Sequence, residues 1–310
     1  MGEWIERRGM QTPRHDLAAV AVDDRIFAIS GADDLTVHDV EMYEVATQTW
    51  YPAPPIPTAR GWLGADILDG KIYAAGGKTI QTGEMRRRTG VDFHFISRDD
   101  LEVFDVRTQR WSALQPMPRG HRAGVAVTAC AGKIWVIGGN TMDPADQRII
   151  DRVEIYDPQA ATWSDGPSLP RPTQGINVVT VDGIIYAVGG VAVVGDGNDE
   201  PQFRRELFVL DPRVGRWEEL APQPTGRESS GIAELNGKIY TFGGRPDNSA
   251  ATEVYDIASD SWSVETPMPV GRAWLAACAV GEQIFAMGGA YSLPGEGYKW
   301  LHDMHEYIPE

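Results

Sequence analysis

Five arginines recur at one register of this 310-residue chain: Arg14, Arg60, Arg122, Arg227 and Arg272, with Thr173 in the sixth place. A repeated guanidinium can do one of two things. It can pair inside the fold with a repeated acid, here Glu41, Glu102, Glu154 or Glu253, because a buried charge needs a partner. Or several guanidiniums can face one cavity and hold a carboxylate, phosphate or sugar. On the second reading the ligand-binding candidates are Arg14, Arg60, Arg122, Arg227 and Arg272, together with Trp62, Gln174, Arg245, Trp274 and Tyr291.

Acid/base chemistry has two candidates. Glu228 stands beside Arg227, where the two could form a general acid/base pair. His94 lies between Phe93 and Phe95 in the longest insertion. His38 and His302 share one register next to Asp39 and Asp303, as expected of solvated strand ends. His302 and His305 are three apart, which on a strand puts them on opposite faces and makes them a poor metal clamp, so no metal is expected. Nucleophile-elbow, zincin, P-loop and dinucleotide fingerprints are absent, and no cofactor is called for. Cys130 and Cys278 sit in Ala-rich strands without paired spacing, which reads as two buried thiols.

The elements that must position these residues repeat along the chain. DGKIYAAGG, ending at Gly77, returns as AGKIWVIGG, DGIIYAVGG, NGKIYTFGG and GEQIFAMGG, and in a worn form as DDRIFAISG ending at Gly31. Each copy is a tight turn, a short strand rich in β-branched and aromatic residues, and a glycine pair at a sharp bend. Trp4, Trp50, Trp111, Trp163, Trp217 and Trp262 precede the closing glycines by 27 residues, or 28 in one copy. Seven residues before five of these tryptophans stands Tyr43, Phe104, Tyr156, Leu210 or Tyr255, and a sixth such phrase, with Tyr307, runs out at the C-terminus. Its missing tryptophan is Trp4. The N-terminal segment therefore supplies the outer strand of the last unit, and pairing the two chain ends closes a ring without open sheet edges.

Glycine pair, third-strand aromatic, tryptophan seven residues later and a Pro-rich approach to Arg together resemble the kelch repeat over nearly the whole chain. The resemblance implies an all-β, six-bladed kelch-type β-propeller spanning residues 1–310 as one domain, each blade a four-stranded antiparallel sheet. Gly31 lacks its partner glycine and Leu210 replaces an aromatic. Small residues such as LAAVAV at 17–22 place the first strand of each blade nearest the axis, and the outer Trp and Tyr pack between sheets. Length varies only between the closing glycine and the next tryptophan, from 18 to 34 residues, so insertions gather between second and third strands. That rim also carries the arginine register, and variable loops on a rigid scaffold are where a site is expected.

Composition narrows the function. A formal charge of −16 argues against a nucleic-acid surface, and no apolar run approaches a membrane span. The charged N-terminus lacks the apolar core of a signal peptide, so a cytoplasmic location is expected. Among proteins similar to the kelch family, sialic-acid mutarotases use acid and Arg residues in a propeller pocket, copper-radical oxidases need Tyr, His and Cys brought together, and adaptors bind acidic peptides. Two expectations follow. The chain is a small-molecule site for an anionic or carbohydrate-like ligand, with isomerase, epimerase, cyclase or lyase chemistry and no redox cofactor. The alternative is a binding module for an acidic peptide; against it, the propeller fills the chain and leaves no second module.

Overall fold

The computed structural model describes residues 2–33, 35–81, 94–142, 148–192, 200–293 and 297–310. Six four-stranded antiparallel sheets surround one axis. Their innermost strands are Ala18–Val22, Gly64–Leu68, Ala126–Cys130, Asn177–Val181, Gly231–Leu235 and Ala276–Val280. Each innermost strand touches the next, and the sixth touches the first. We number the blades 1 to 6 in that order. Blade 6 is completed by Glu3–Arg7, which pairs with Met304–Ile308 so that Trp4 lies opposite Tyr307. The expected ring closure is therefore observed.

The turn sequences explain the hairpins. Asp69 and Gly70 both take positive φ, 51° and 71°, the type I′ geometry whose twist matches that of the flanking strands. Second strands such as Lys71–Ala75 and Lys133–Ile137 are buried almost throughout, because each sheet is covered on both faces by its neighbours. The six core clusters each join residues of neighbouring blades.

Two circles of hydrogen bonds lock blade to blade. The outer one uses indoles: Trp50 Nε1 donates to Arg8 O at 2.7 Å and Trp111 Nε1 to Pro54 O at 2.9 Å. Trp4, Trp163, Trp217 and Trp262 repeat the contact onto the blade before their own. In the inner one the closing glycine N–H donates to the carbonyl of the arginine register in the following blade, as from Gly77 to Arg122 at 2.8 Å. A Cβ on Gly76 would lie 2.7 Å from that same carbonyl, which is why the pair must be glycine. In the worn copy Ser30 takes the left-handed conformation instead, and its Oγ donates to Arg60 O.

Insertions become two-stranded hairpins standing on the same rim. They pair Lys78–Gln81 with His94–Ser97, Asn140–Thr141 with Arg148–Ile149, Val191–Ala192 with Gln202–Phe203, and Ala290–Leu293 with Gly297–Trp300. Among the described residues, blades 1 and 5 carry no such hairpin.

Candidate functional site

The arginine register points into the blades. Arg14, Arg60, Arg122, Arg227 and Arg272 are at most 1% exposed. Arg14 pairs with Glu41 at 2.7 Å, Arg60 with Glu102, Arg122 with Glu154 at 2.5 Å and Arg227 with Glu253 at 2.5 Å. Each guanidinium also donates to carbonyls of its own blade, as Arg122 does to Gly138 O at 2.9 Å. Burial lowers the Arg122 guanidinium to about 10 against the opposing pull of Glu154, which still leaves it charged at neutral pH. Blade 6 has His305 in the acid's place, so Arg272 turns to Asp303 at 2.6 Å. Blade 4 loses both partners at once, with Thr173 at the arginine's register and Phe208 at the acid's, both buried.

These five arginines are therefore held by the blades, and the ligand-binding role expected of them is corrected to a structural one. Their carbonyls join blade to blade and their side chains join strands within a blade. The expected pairing of Glu228 with Arg227 is corrected too. Successive residues of extended chain point to opposite sides, so Arg227 enters blade 5 while Glu228 turns to the axis. Its partner is Arg245, at 2.7 Å. His38 and His302 are exposed, as expected of solvated strand ends, and each also hydrogen-bonds a carbonyl, His38 Nδ1 with Ile56 O at 2.7 Å and His302 Nδ1 with Met10 O at 3.1 Å.

Around the axis, one residue past Glu228 and its counterparts, lies a closed circle of six backbone hydrogen bonds. Trp62 N–H donates to Asp16 O, Gly124 to Trp62, Gly175 to Gly124, Ser229 to Gly175, Trp274 to Ser229 and Asp16 to Trp274. All six residues have positive φ, between 51° and 62°. Left-handed tryptophan is costly, and here the ring hydrogen bonds hold it in place. Below the circle is a cavity of about 110 Å³. Its floor is Leu17, Leu63, Val125, Ile176 and Leu275, with Ser230 as the one polar member of that tier. The space suits a ligand substituent or a few waters, leaving the body of a ligand to the bowl above, framed by the hairpins.

Around this mouth the chain gathers charge and aromatic surface. Lys78 Nζ lies 2.9 Å from Asp16 Oδ2 and stands over Trp62 at 4.7 Å and Phe95 at 4.9 Å. Arg245 lies over Trp274 at 5.6 Å and Phe203 at 5.7 Å. His15 stacks on Trp300 at 4.5 Å, and its Nδ1 is 3.3 Å from Asp16 Oδ2. Gln174 accepts a hydrogen bond from Asn140 Nδ2, and Asn177 Nδ2 donates to Ser230 Oγ at 2.5 Å. Blades 6, 1 and 2 thus supply most of the aromatic surface, and blades 3 to 5 most of the hydrogen-bonding groups, with Phe203 of blade 4 an aromatic among them.

The two carboxylates at this mouth differ in state. Burial pushes Glu228 up to about 7, helped by the charge of Asp16 and opposed by Arg245. Burial would also raise Asp16, but Lys78 and His15 together hold it well below the usual carboxylate range. Glu228 is 1% exposed, yet its Oε2 has no hydrogen-bond partner among the described residues. Asp16 Oδ1, Asn140 Oδ1 and Ser229 Oγ are likewise buried and unpartnered. Polar atoms left unmade at one spot are costly in a fold and are what a ligand would satisfy.

Of the residues singled out in the sequence, Glu228, Arg245, Trp62, Trp274 and Gln174 meet at this mouth. Tyr291 stands on the blade 6 hairpin, half-buried under Lys299 at 5.8 Å. His94 begins the second strand of the blade 2 hairpin, and its side chain lies outside the described residues. Asp16, Lys78 and Asn140 were missed. A signal existed: Lys78, Asn140 and Arg245 all directly follow a closing glycine, and Asp16 shares the register of Trp62 and Trp274.

Comparison with known proteins agrees with this architecture. The profile described as the KLHDC2/KLHL20/DRC7 Kelch-repeats domain matches residues 82–289, and the Kelch motif matches residues 13–57. Kelch-like protein terF of Aspergillus terreus is 27% identical over 87% of this chain and 61% of its own length. Beta-scruin of Limulus polyphemus is 26% identical over 88% of this chain and 30% of its own. The chain thus spans less than two thirds of these relatives. The solved structure of YjhT superposes with a TM-score of 0.76 at 16% identity, covering 96% of this chain and 95% of that one, a likeness of fold alone. With six matching blades and a family profile covering more than half its length, the chain belongs to the kelch-repeat family.

Proposed function

We propose that the axial mouth binds a small anionic or sugar-like molecule and that Glu228 and Asp16 serve it as a proton donor and acceptor. One observation carries the reading: a carboxyl that is 1% exposed, pushed up to about 7 and unpartnered at Oε2, beside a second carboxyl held ionised. Two groups whose environments separate their proton affinities are equipped to protonate one position of a ligand while deprotonating another. Such a transfer leaves the net proton count unchanged, as an isomerase, epimerase, cyclase or lyase step requires. Arg245 and Lys78 would hold an anionic substituent, and Trp62 and Trp274 offer flat apolar faces.

The test is a panel of uronic acids, hydroxy acids and neutral sugars, read first by thermal stabilisation and then by hydrogen exchange or interconversion in D2O. The reading expects a stabilising anion whose turnover is lost in Glu228→Gln and Asp16→Asn, with melting temperature kept within a few degrees. Turnover should also fall as pH rises through about 7, where Glu228 gives up its proton. A second reading, an acidic peptide across the rim, has support from exposed Leu35, Phe95 and Tyr298 on blades 1, 2 and 6. Stabilisation by acidic peptides and by no member of the panel would decide for it.

A further inference from the structure

The cation best placed to meet an anionic ligand is already engaged with the proposed acid. The side chain of Arg245 is 39% exposed, while that of Glu228 is 1% exposed. Among the described residues, the guanidinium's one side-chain hydrogen bond is from Nη1 to Glu228 Oε1, at 2.7 Å. A guanidinium has five N–H groups in a fixed fork, and a carboxylate is its matching partner. Trp274 and Phe203 lie 5.6 and 5.7 Å from the guanidinium carbon, contacts that do not depend on Glu228.

We propose that an anionic group of the ligand, seated on Arg245, takes over the guanidinium from Glu228 and so drives a proton from solvent onto Glu228. The ligand's own charge arms the acid. This rests on the acid/base reading above, and it makes Arg245 the residue that selects for charged ligands. A neutral analogue of the same shape leaves the Arg245–Glu228 pair closed and the acid less protonated.

Of the groups facing Glu228 apart from Arg245, Asp16 favours this exchange and Lys78 opposes it. Asp16, approaching from blade 1 with His15 beside it, adds negative charge, and Lys78 of blade 2 is committed to Asp16 at 2.9 Å. Gly175 of blade 4 leaves room for Oε2, since a Cβ there would lie 2.8 Å from it. Among the described residues, Arg245 is the one cation in ion-pair distance of Glu228. The proton balance is simple: one carboxylate, Glu228, becomes a carboxylic acid, and the ligand remains the counter-ion of Arg245. Affinity for the anion should therefore weaken as pH rises above about 7, and be level below it, where Glu228 already carries its proton.

The experiment follows the Glu228 carboxyl by ¹³C-glutamate NMR against pH, with the resonance assigned by its loss in Glu228→Gln. Acetate is the probe, with chloride at equal ionic strength as control. The midpoint should rise by about one unit in acetate, the size expected when a carboxylate loses an adjacent guanidinium. Arg245→Gln should show the raised midpoint without acetate and no further rise with it. Arg245→Lys should titrate like the wild type when acetate is absent. A midpoint that acetate leaves unmoved in the wild type, or moves equally in Arg245→Gln, overturns the proposal. A wild-type midpoint near the ordinary glutamate value sinks the acid/base assignment instead, while the acetate shift still decides the coupling.

Discussion

Arg227 and Glu228 are neighbours in the chain and belong to two different worlds. Arg227 enters blade 5, is 1% exposed, and meets Glu253 at 2.5 Å and the carbonyls of Gly243 and Ala251. Glu228 is equally buried but faces the axis, holds Arg245 by one oxygen and leaves the other unpartnered. Both are carboxylate–guanidinium pairs. The first has both members buried inside a blade and is repeated around the ring, as a structural device should be. The second is made once, with one partner open to solvent. Burial of a charged group is therefore no guide to its role here. What separates the two pairs is whether both members are enclosed in a blade or one of them opens onto the mouth.

The most severe way to probe the contrast is to break a closed pair. Arg227→Ala leaves Glu253 buried with no other cation paired to it among the described residues and should cost about 3 to 5 kcal/mol in urea unfolding. A loss under 1 kcal/mol would mean that the closed pairs are not structural. At the open pair the expected effect is on pH dependence. The folded chain keeps a proton on Glu228 up to about 7, whereas the unfolded chain releases it near 4.5. The folded state thus binds more protons between these values, and stability falls as pH rises across them. Glu228→Gln removes that slope. Its stability relative to wild type should grow by about 3 kcal/mol at most from pH 4.5 to 7, and a flat difference would refute the raised proton affinity.

Blade 4 provides the natural control, since it carries neither member of the pair. Phe208→Glu alone should destabilise as a buried unpaired charge, and adding Thr173→Arg should recover part of the loss. A double-mutant coupling of about 0.5 to 3 kcal/mol is expected, and zero coupling would show that blade geometry, not the missing partner, excludes the pair. The smallest effect belongs to the outer circle. Trp111→Phe removes the hydrogen bond to Pro54 O and should cost about 1 kcal/mol, with mouth chemistry unchanged.

Much of the fold was legible because it repeats. Six copies of the turn, strand and glycine pair give register and blade count, and the displacement of Trp4 to the N-terminus shows where the ring closes. The pairing of Glu41, Glu102, Glu154 and Glu253 with the arginine register was also readable, as one of two alternatives. The site was readable only in outline. Glu228, Arg245, Trp62, Trp274 and Gln174 stood out, but the arginines that looked most like a binding ring are enclosed in blades. Asp16 and Lys78, which complete the mouth, went unseen because their registers repeat while their residue types do not.

Sequence alone determined the periodic part of this protein: blade number, strand order, closure and the rim on which insertions stand. Periodicity suffices there because each blade meets the same neighbours, so local pattern and global packing agree. Only the tertiary structure decided which way each rim residue faces and which groups meet across the axis. Asp16 and Glu228 are far apart in the chain and come from different blades, yet the charge of Asp16 raises the proton affinity of Glu228. A single residue's turn of extended backbone sends Arg227 into the scaffold and Glu228 to the mouth, and no spacing rule in the sequence records what awaits each of them there.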